Sequence, residues 1–218
     1  MRVAASDENV LGPLADVLEP RPYPRLGPRV ARLAGFERPV TLFVSIRAFD
    51  RVLAKAYATA LRHRMGSSHV LARRAEVFGR PPPRWSEVID RIAEATPGVP
   101  LRVWRQEDYA VRPRRFAAAL LGRKLGTWVR RAPPRTMMTP SAEAIAEVEA
   151  LFRAGENHRD PDGWRDRVNA IYAARPAITG TPFRPFGPEA EAHFAAAYAA
   201  DLDAIGHERP GSLVEPDA

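Results

Sequence analysis

A short and nearly continuous hydrophobic run is followed directly by a helical pattern in the first third of the chain. Val40 to Ile46 are mostly apolar and β-branched, which predicts a strand buried on both faces. The next apolar positions recur at spacings of three and four, as on the side of a helix that packs against a sheet: Leu53, Ala56, Tyr57, Ala60 and Leu61. The pattern places Arg47 between the two elements, at the carboxyl end of a central strand.

A second strand and more helices follow in the same order. Val99 to Trp104 predict a strand, and a helix from about Ser86 to Ala95 precedes it, with Ser86 as the N-cap. Pro113 opens another helix, which Gly122 ends. The repeated alternation predicts an α/β fold in which helices flank a parallel sheet on both faces.

The rest of the chain divides into loops and a helical C-terminal part. Residues 13–39 are rich in proline and predict a loop, with a turn or two of helix at Pro28 to Leu33. Gly66 to Pro83 predict an exposed loop, because a run of three prolines ends it. From residue 139 onward the pattern is helical. We expect one domain over residues 1–207 and a frayed tail over residues 208–218.

Composition and charge change this picture only slightly. The net charge of +7 and the pI near 10.4 are typical of nucleic-acid-binding proteins. All but two of the 33 basic residues are arginine, and the chain has 22 prolines, which indicates the coding bias of a GC-rich genome. The charge is therefore weak support for a nucleic-acid partner, although it favours anionic ligands such as phosphates and sulfates.

Several kinds of site are not favoured. The absence of cysteine excludes disulfides, thiolate metal sites and a cysteine nucleophile. The five histidines show no i, i+4 pairing and no carboxylate at metal-ligand spacing, so no metal site is predicted. No apolar run approaches the roughly 18 residues of a transmembrane helix, and acidic residues interrupt the first twenty positions where a signal peptide would lie. We expect a cytoplasmic protein without a membrane partner.

Two stretches together resemble the sulfotransferases of the P-loop nucleotide-binding fold. They are SIRAFDRVLAKAY (Ser45 to Tyr57) and LRVWRQEDYAVRPRRFAAALLG (Leu101 to Gly122). The closing FRPFGPEAEAHFAAAYAADLDAI is similar to the final helix of the family, in which an aromatic residue precedes an Asp. The resemblance implies a P-loop-like three-layer fold. It also implies transfer of a sulfuryl group from 3′-phosphoadenosine-5′-phosphosulfate to a hydroxyl or amine on a small-molecule or glycan acceptor.

The resemblance implies two residues that bind the donor. In the family, an Arg at the end of a strand and a Ser about two helical turns later hold the 3′-phosphate. In this sequence Arg47 matches that Arg, and Lys55 stands at the position of that Ser. A lysine can contact a phosphate as a point charge, although it lacks the small neutral donor of serine. The alternative interpretation of Lys55 is an ordinary solvated helix residue.

The resemblance also suggests acidic residues with different roles. Glu8 is the candidate general base for the acceptor hydroxyl, with Asp7 second, because a neutral hydroxyl is a poor nucleophile. The alternative is that Ser6 or Asp7 caps a turn. Glu107 and Asp108 follow the second strand, where neighbours in an extended segment point in opposite directions. In the family this pair anchors the loop beside the nucleotide.

One part of the family pattern has no match. The donor-binding loop of the family is Gly-rich, carries Lys and Ser or Thr, and follows the first strand, and nothing before Arg47 resembles it. The simplest interpretation is that the sequence begins one strand and one helix late. A truncated or degenerate non-catalytic member of the same fold is the second interpretation. A basic nucleic-acid-binding protein is the third and least favoured interpretation, because we find no helix that could read a DNA groove. The sequence specifies neither the acceptor nor the oligomeric state.

Overall fold

The computed structural model describes residues 10–35, 39–63, 67–122 and 139–214. Helices make up most of these ranges, and a short 3₁₀ helix, Leu14–Leu18, comes first. The elements that follow are, in chain order, α1 (Leu26–Ala34), β1 (Leu42–Ile46), α2 (Phe49–His63), α3 (Ser67–Ala72), α4 (Arg74–Gly79), α5 (Trp85–Ala95), β2 (Leu101–Arg105), α6 (Gln106–Val111), α7 (Pro113–Leu121), α8 (Ala142–Arg153), α9 (Glu156–Arg159), α10 (Trp164–Ala174) and α11 (Pro188–Glu208).

β1 and β2 form a small parallel sheet. Val44 pairs with Val103, and helices α2 to α5 lie between the two strands along the chain. A third extended segment joins the other edge of β2: the Val103 N–H donates to the Ser212 carbonyl, and the Val214 N–H donates to the Val103 carbonyl, both over 2.8 Å. The expected frayed end is therefore wrong as far as residue 214, because β2 supplies backbone partners to this segment.

The two faces of the sheet are covered differently. Val44 and Val103 are buried in the main core, whereas Ser45 is exposed. On the face of Ser45, Trp104 packs against Phe116 of α7, with ring centroids 5.1 Å apart. The prediction that β1 is buried on both faces is wrong in the described chain. Ser45 lies on the face of the sheet that α7 covers only in part.

Helix α2 is the centre of the core, as its periodicity predicts. Leu53, Tyr57 and Leu61 are fully buried. The C-terminal helices pack on the same helix, since the Trp164 indole N–H donates to the Leu61 carbonyl over 2.9 Å and the Tyr172 hydroxyl donates to the Ala58 carbonyl over 3.1 Å. One hydrophobic cluster therefore extends from the 3₁₀ helix to α11.

Two expected local structures differ from the observed ones. Residues 66–83 are not one exposed loop, because α3 and α4 lie within this range and Val77 is buried. The prolines come after Arg80, so they end this helical stretch without preventing it. Glu107 and Asp108 are not extended, because both lie in the first turn of α6.

The described chain is thus a mixed α/β structure, mostly helical, with a small parallel sheet. The predicted helices at residues 28–33, 86–95 and 113–121 and the helical C-terminal part are confirmed. Within the ranges described, none of the helices combines the length and the apolar character needed to cross a membrane.

Candidate functional site

The carboxyl edge of the sheet brings three helix N-termini together. β1 ends at Ile46, which pairs with Arg105 at the end of β2. Helices α2 and α6 begin at Phe49 and Gln106, just beyond these strand ends. Helix α5 also begins here, because its first residue, Trp85, binds the turn between β1 and α2. At such an edge the N-terminus of α2, the longest of the three helices, offers N–H groups and the positive end of its dipole to an anion.

Trp85 holds the turn between β1 and α2. Its indole Nε1–H donates to the carbonyl oxygen of Arg47 over 2.6 Å. Its ring stacks on Phe49, with centroids 4.6 Å apart and an angle of 19° between the planes. Both aromatic residues are only 3% exposed. The first residues of α2 and α5 therefore pack together beside this turn and hold its backbone.

The side chain of Arg47 leaves this turn without a partner among the described residues. Arg47 is half-buried, and its guanidinium forms no hydrogen bond or ion pair with the residues described. Arg105, at the end of the neighbouring strand, differs: its Nε and one terminal nitrogen donate to the two carboxylate oxygens of Asp108, each over 2.6 Å. This pairing raises the pKa of Arg105. Arg47 is thus available to an anionic ligand, whereas Arg105 is already engaged.

The structure places Lys55 in the second turn of α2, where it is exposed. It lies six residues beyond the start of the helix, which corresponds to roughly 9 Å along the axis. The predicted catalytic residues Glu8 and Asp7 lie outside the described residues.

Asp201 of α11 is a buried residue that the sequence interpretation did not include in the site. It is 1% exposed and accepts hydrogen bonds from the backbone N–H of Trp85 at 2.8 Å, the hydroxyl of Ser86 at 2.9 Å and the Nε of Arg84 at 2.7 Å. Asp201 therefore caps α5 from a remote helix, and Ser86, the predicted N-cap, is one of its donors. The aromatic-then-Asp pattern of the closing helix was the sequence signal that could have identified it.

A second contact ties α11 to the end of β2. The Tyr198 hydroxyl, one turn before Asp201, donates to the Glu107 carboxylate over 3.3 Å. Burial raises the pKa of Tyr198, and Glu107 raises it further. Glu107 and Asp108 therefore each bind a neighbouring side chain beside the edge of the sheet.

Glu149 organises a separate polar cluster inside the helical part. It is 7% exposed and accepts hydrogen bonds from the Tyr57 hydroxyl at 2.7 Å, Arg74 at 3.0 Å and Arg153 at 2.9 Å. Burial raises the pKa of Tyr57, and the bond to Glu149 raises it further. With these donors satisfied, the cluster joins α2, α4 and α8 and serves packing.

The described part of the chain contains no cluster of histidine and carboxylate side chains that could hold a metal ion. Comparison of the sequence with protein-family models and with curated proteins gave no match, and comparison of the fold with solved structures also gave none.

Proposed function

We propose that the protein binds a 3′-phosphorylated adenine nucleotide at the carboxyl edge of β1 and β2, and that it is a sulfotransferase-like enzyme. The reaction would transfer the sulfuryl group of 3′-phosphoadenosine-5′-phosphosulfate to a hydroxyl or amine acceptor. The observation that carries the proposal is the half-buried guanidinium of Arg47, which has no partner among the described residues and lies where β1 gives way to α2. This position coincides with the strand-end Arg of the sulfotransferase motif.

The physical case for a phosphate ligand combines two effects. A planar guanidinium can donate two parallel hydrogen bonds to a phosphate, which makes it more selective than a point charge. The adjoining N-terminus of α2 adds backbone N–H groups and a favourable dipole. In this proposal Arg47 holds the 3′-phosphate. Lys55 contributes only a solvated charge at the side of the site.

Transfer would also need a base for the acceptor. A carboxylate takes the proton of the acceptor hydroxyl as the new oxygen–sulfur bond forms and the bond from sulfur to the nucleotide phosphate breaks. Asp108, Glu107 and Asp201 already accept hydrogen bonds from Arg105, Tyr198 and the start of α5. The resemblance to the sulfotransferases makes Glu8 the proposed base, with Asp7 as its substitute.

A second candidate is nucleotide binding without transfer. It is favoured by the sequence before Arg47, which has no Gly-rich loop carrying Lys and Ser or Thr. Without such a loop the 5′-phosphosulfate would lack a cradle of backbone N–H groups. The 3′-phosphate contact at Arg47 could persist in such a protein.

Calorimetric titration with 3′-phosphoadenosine-5′-phosphate tests the site. We expect Arg47→Ala to weaken binding by at least about tenfold, because a charge-assisted contact is worth roughly 1.5–3 kcal/mol. Arg165→Ala is the matched control, since Arg165 is an exposed arginine on α10 whose charge acts on His63 at the far end of α2. Equal affinity of the wild type and Arg47→Ala would remove Arg47 from the site.

A transfer assay separates the two candidates. Protein that binds the nucleotide is incubated with donor labelled on the sulfuryl group and with phenolic, alcoholic and amine acceptors. Labelled acceptor that forms with the wild type but not with Arg47→Ala would support the sulfotransferase-like enzyme. Nucleotide binding without labelled product, across all acceptor classes, would favour the non-catalytic candidate.

A further inference from the structure

We infer that Trp85 is a positioning residue for Arg47, an inference that rests on the proposed nucleotide site. Its indole N–H binds the Arg47 carbonyl oxygen over 2.6 Å. The first carbonyl in the hydrogen-bond ladder of α2 is that of Ala48, which accepts from the N–H groups of Arg51 and Val52. The Arg47 carbonyl therefore lies just before the ladder, and Trp85 supplies the hydrogen bond that fixes it.

Two other contacts hold Trp85 in place. Its ring stacks on Phe49, the first residue of α2. Its backbone N–H donates to the buried carboxylate of Asp201, which also binds Ser86 in the same turn of α5. The indole thus has a defined position before any ligand arrives. A turn held in advance loses less conformational freedom on binding, so the guanidinium that it carries binds its anion more tightly.

Trp164 provides a matched comparison within the same protein. Its indole N–H also donates to a backbone carbonyl of α2, that of Leu61, over 2.9 Å, and Trp164 is 1% exposed. Leu61 lies near the end of α2, whereas Arg47 lies just before its start. Replacing either tryptophan by phenylalanine removes a buried indole–carbonyl hydrogen bond. Only the change at Trp85 touches the sheet edge.

The experiment measures affinity for two nucleotides, 3′-phosphoadenosine-5′-phosphate and adenosine 5′-monophosphate, which lacks the 3′-phosphate. We expect Trp85→Phe to weaken binding of the first about fivefold and to leave binding of the second unchanged. Trp164→Phe should change neither. In the Arg47→Ala background Trp85→Phe should cause no further loss, because the two residues act on the same contact.

The outcomes distinguish this inference from the proposed function. The inference is wrong, and Trp85 serves only packing, if the wild type binds the 3′-phosphorylated nucleotide but Trp85→Phe weakens binding of both nucleotides equally. The same conclusion follows if Trp85→Phe weakens binding of both nucleotides equally when Arg47 is already alanine. If the wild type does not bind that nucleotide, the proposed function fails and the inference fails with it. Phe49→Leu is the second variant, in case Trp85→Phe does not fold. It keeps the indole N–H but removes the ring stack, and it should produce the same selective loss.

Discussion

Many arginines in this basic protein form ion pairs with individual carboxylates. Glu149 alone binds Arg74 and Arg153, Asp108 binds Arg105, and Asp90 binds Arg209. Each of these guanidinium groups is therefore matched locally by an acid. The excess positive charge of +7 is therefore carried mainly by other arginines, and Arg47 is one that has no acid partner among the described residues.

Glu143 provides a prediction of pH dependence. Hydrogen bonds from the hydroxyls of Thr181 and Ser141 lower the pKa of Glu143 to about 2 from its ordinary 4.5. A depressed pKa in the folded state stabilises the fold above pH 4.5, and this contribution is lost as the pH falls towards 2. We expect urea unfolding between pH 2 and pH 6 to show that the advantage of the wild type over Glu143→Gln shrinks as the pH falls.

The partner residue gives an independent check on this pH effect. Thr181→Val removes the hydroxyl that contributes most to the low pKa of Glu143. Its unfolding free energy should therefore depend less on pH than that of the wild type over the same interval. Stability curves for the wild type and Glu143→Gln that stay parallel from pH 6 to pH 2 would contradict the assignment.

Among the elements, those with a long local pattern were predictable and those that depend on remote partners were not. The apolar spacing of α2 and the left-handed Gly122 that ends α7, with φ of 60°, are local signals. Helices α3 and α4 have six residues each, too few to be stable alone. Side chains of their region bind distant carbonyls instead, as Arg80 binds Val17 over 2.7 Å.

The same distinction applies to the candidate site. The switch from an apolar run to a helical pattern was enough to place Arg47 at the end of β1. The bond between Trp85 and the Arg47 carbonyl joins residues 38 positions apart, and the bond between Trp85 and Asp201 joins residues 116 positions apart. No periodicity in a single sequence encodes such distant pairs, so the support around Arg47 emerged only with the folded structure.

The extended segment after α11 gives a prediction about stability. Deleting residues 212–218 removes both backbone partners of Val103 and the packing of Leu213 and the buried Val214. We expect the free energy of unfolding in urea to fall by about 3 kcal/mol. Deleting residues 215–218 alone is the control, because it touches none of the described contacts, and it should cost less than about 0.5 kcal/mol. Equal stability of the two truncated proteins would show that the third segment does not support the sheet.

The hydrophobic core connects the two halves of the chain. α8 and α10 from the C-terminal half pack on α2, and α11 packs on both α2 and α5. Buried hydrogen bonds reinforce these contacts, from Trp164 to Leu61 and from Trp85 to Asp201. Because neither half can bury its own side of α2 or α5 alone, we expect the protein to unfold as one cooperative unit.

This cooperativity can be tested by perturbing one half and observing both. Asp201→Ala leaves the start of α5 without its carboxylate partner and should lower the free energy of unfolding by about 2–3 kcal/mol. Asp203→Ala is the control, because Asp203 is an exposed residue of the same helix whose side chain forms no hydrogen bond or ion pair with the described residues. In single-tryptophan variants, the unfolding transitions reported by the fluorescence of Trp85 and of Trp164 should shift together with the transition reported by far-ultraviolet circular dichroism. A shift of the Trp85 signal alone would mean that the halves unfold separately, since only Trp85 binds Asp201 directly.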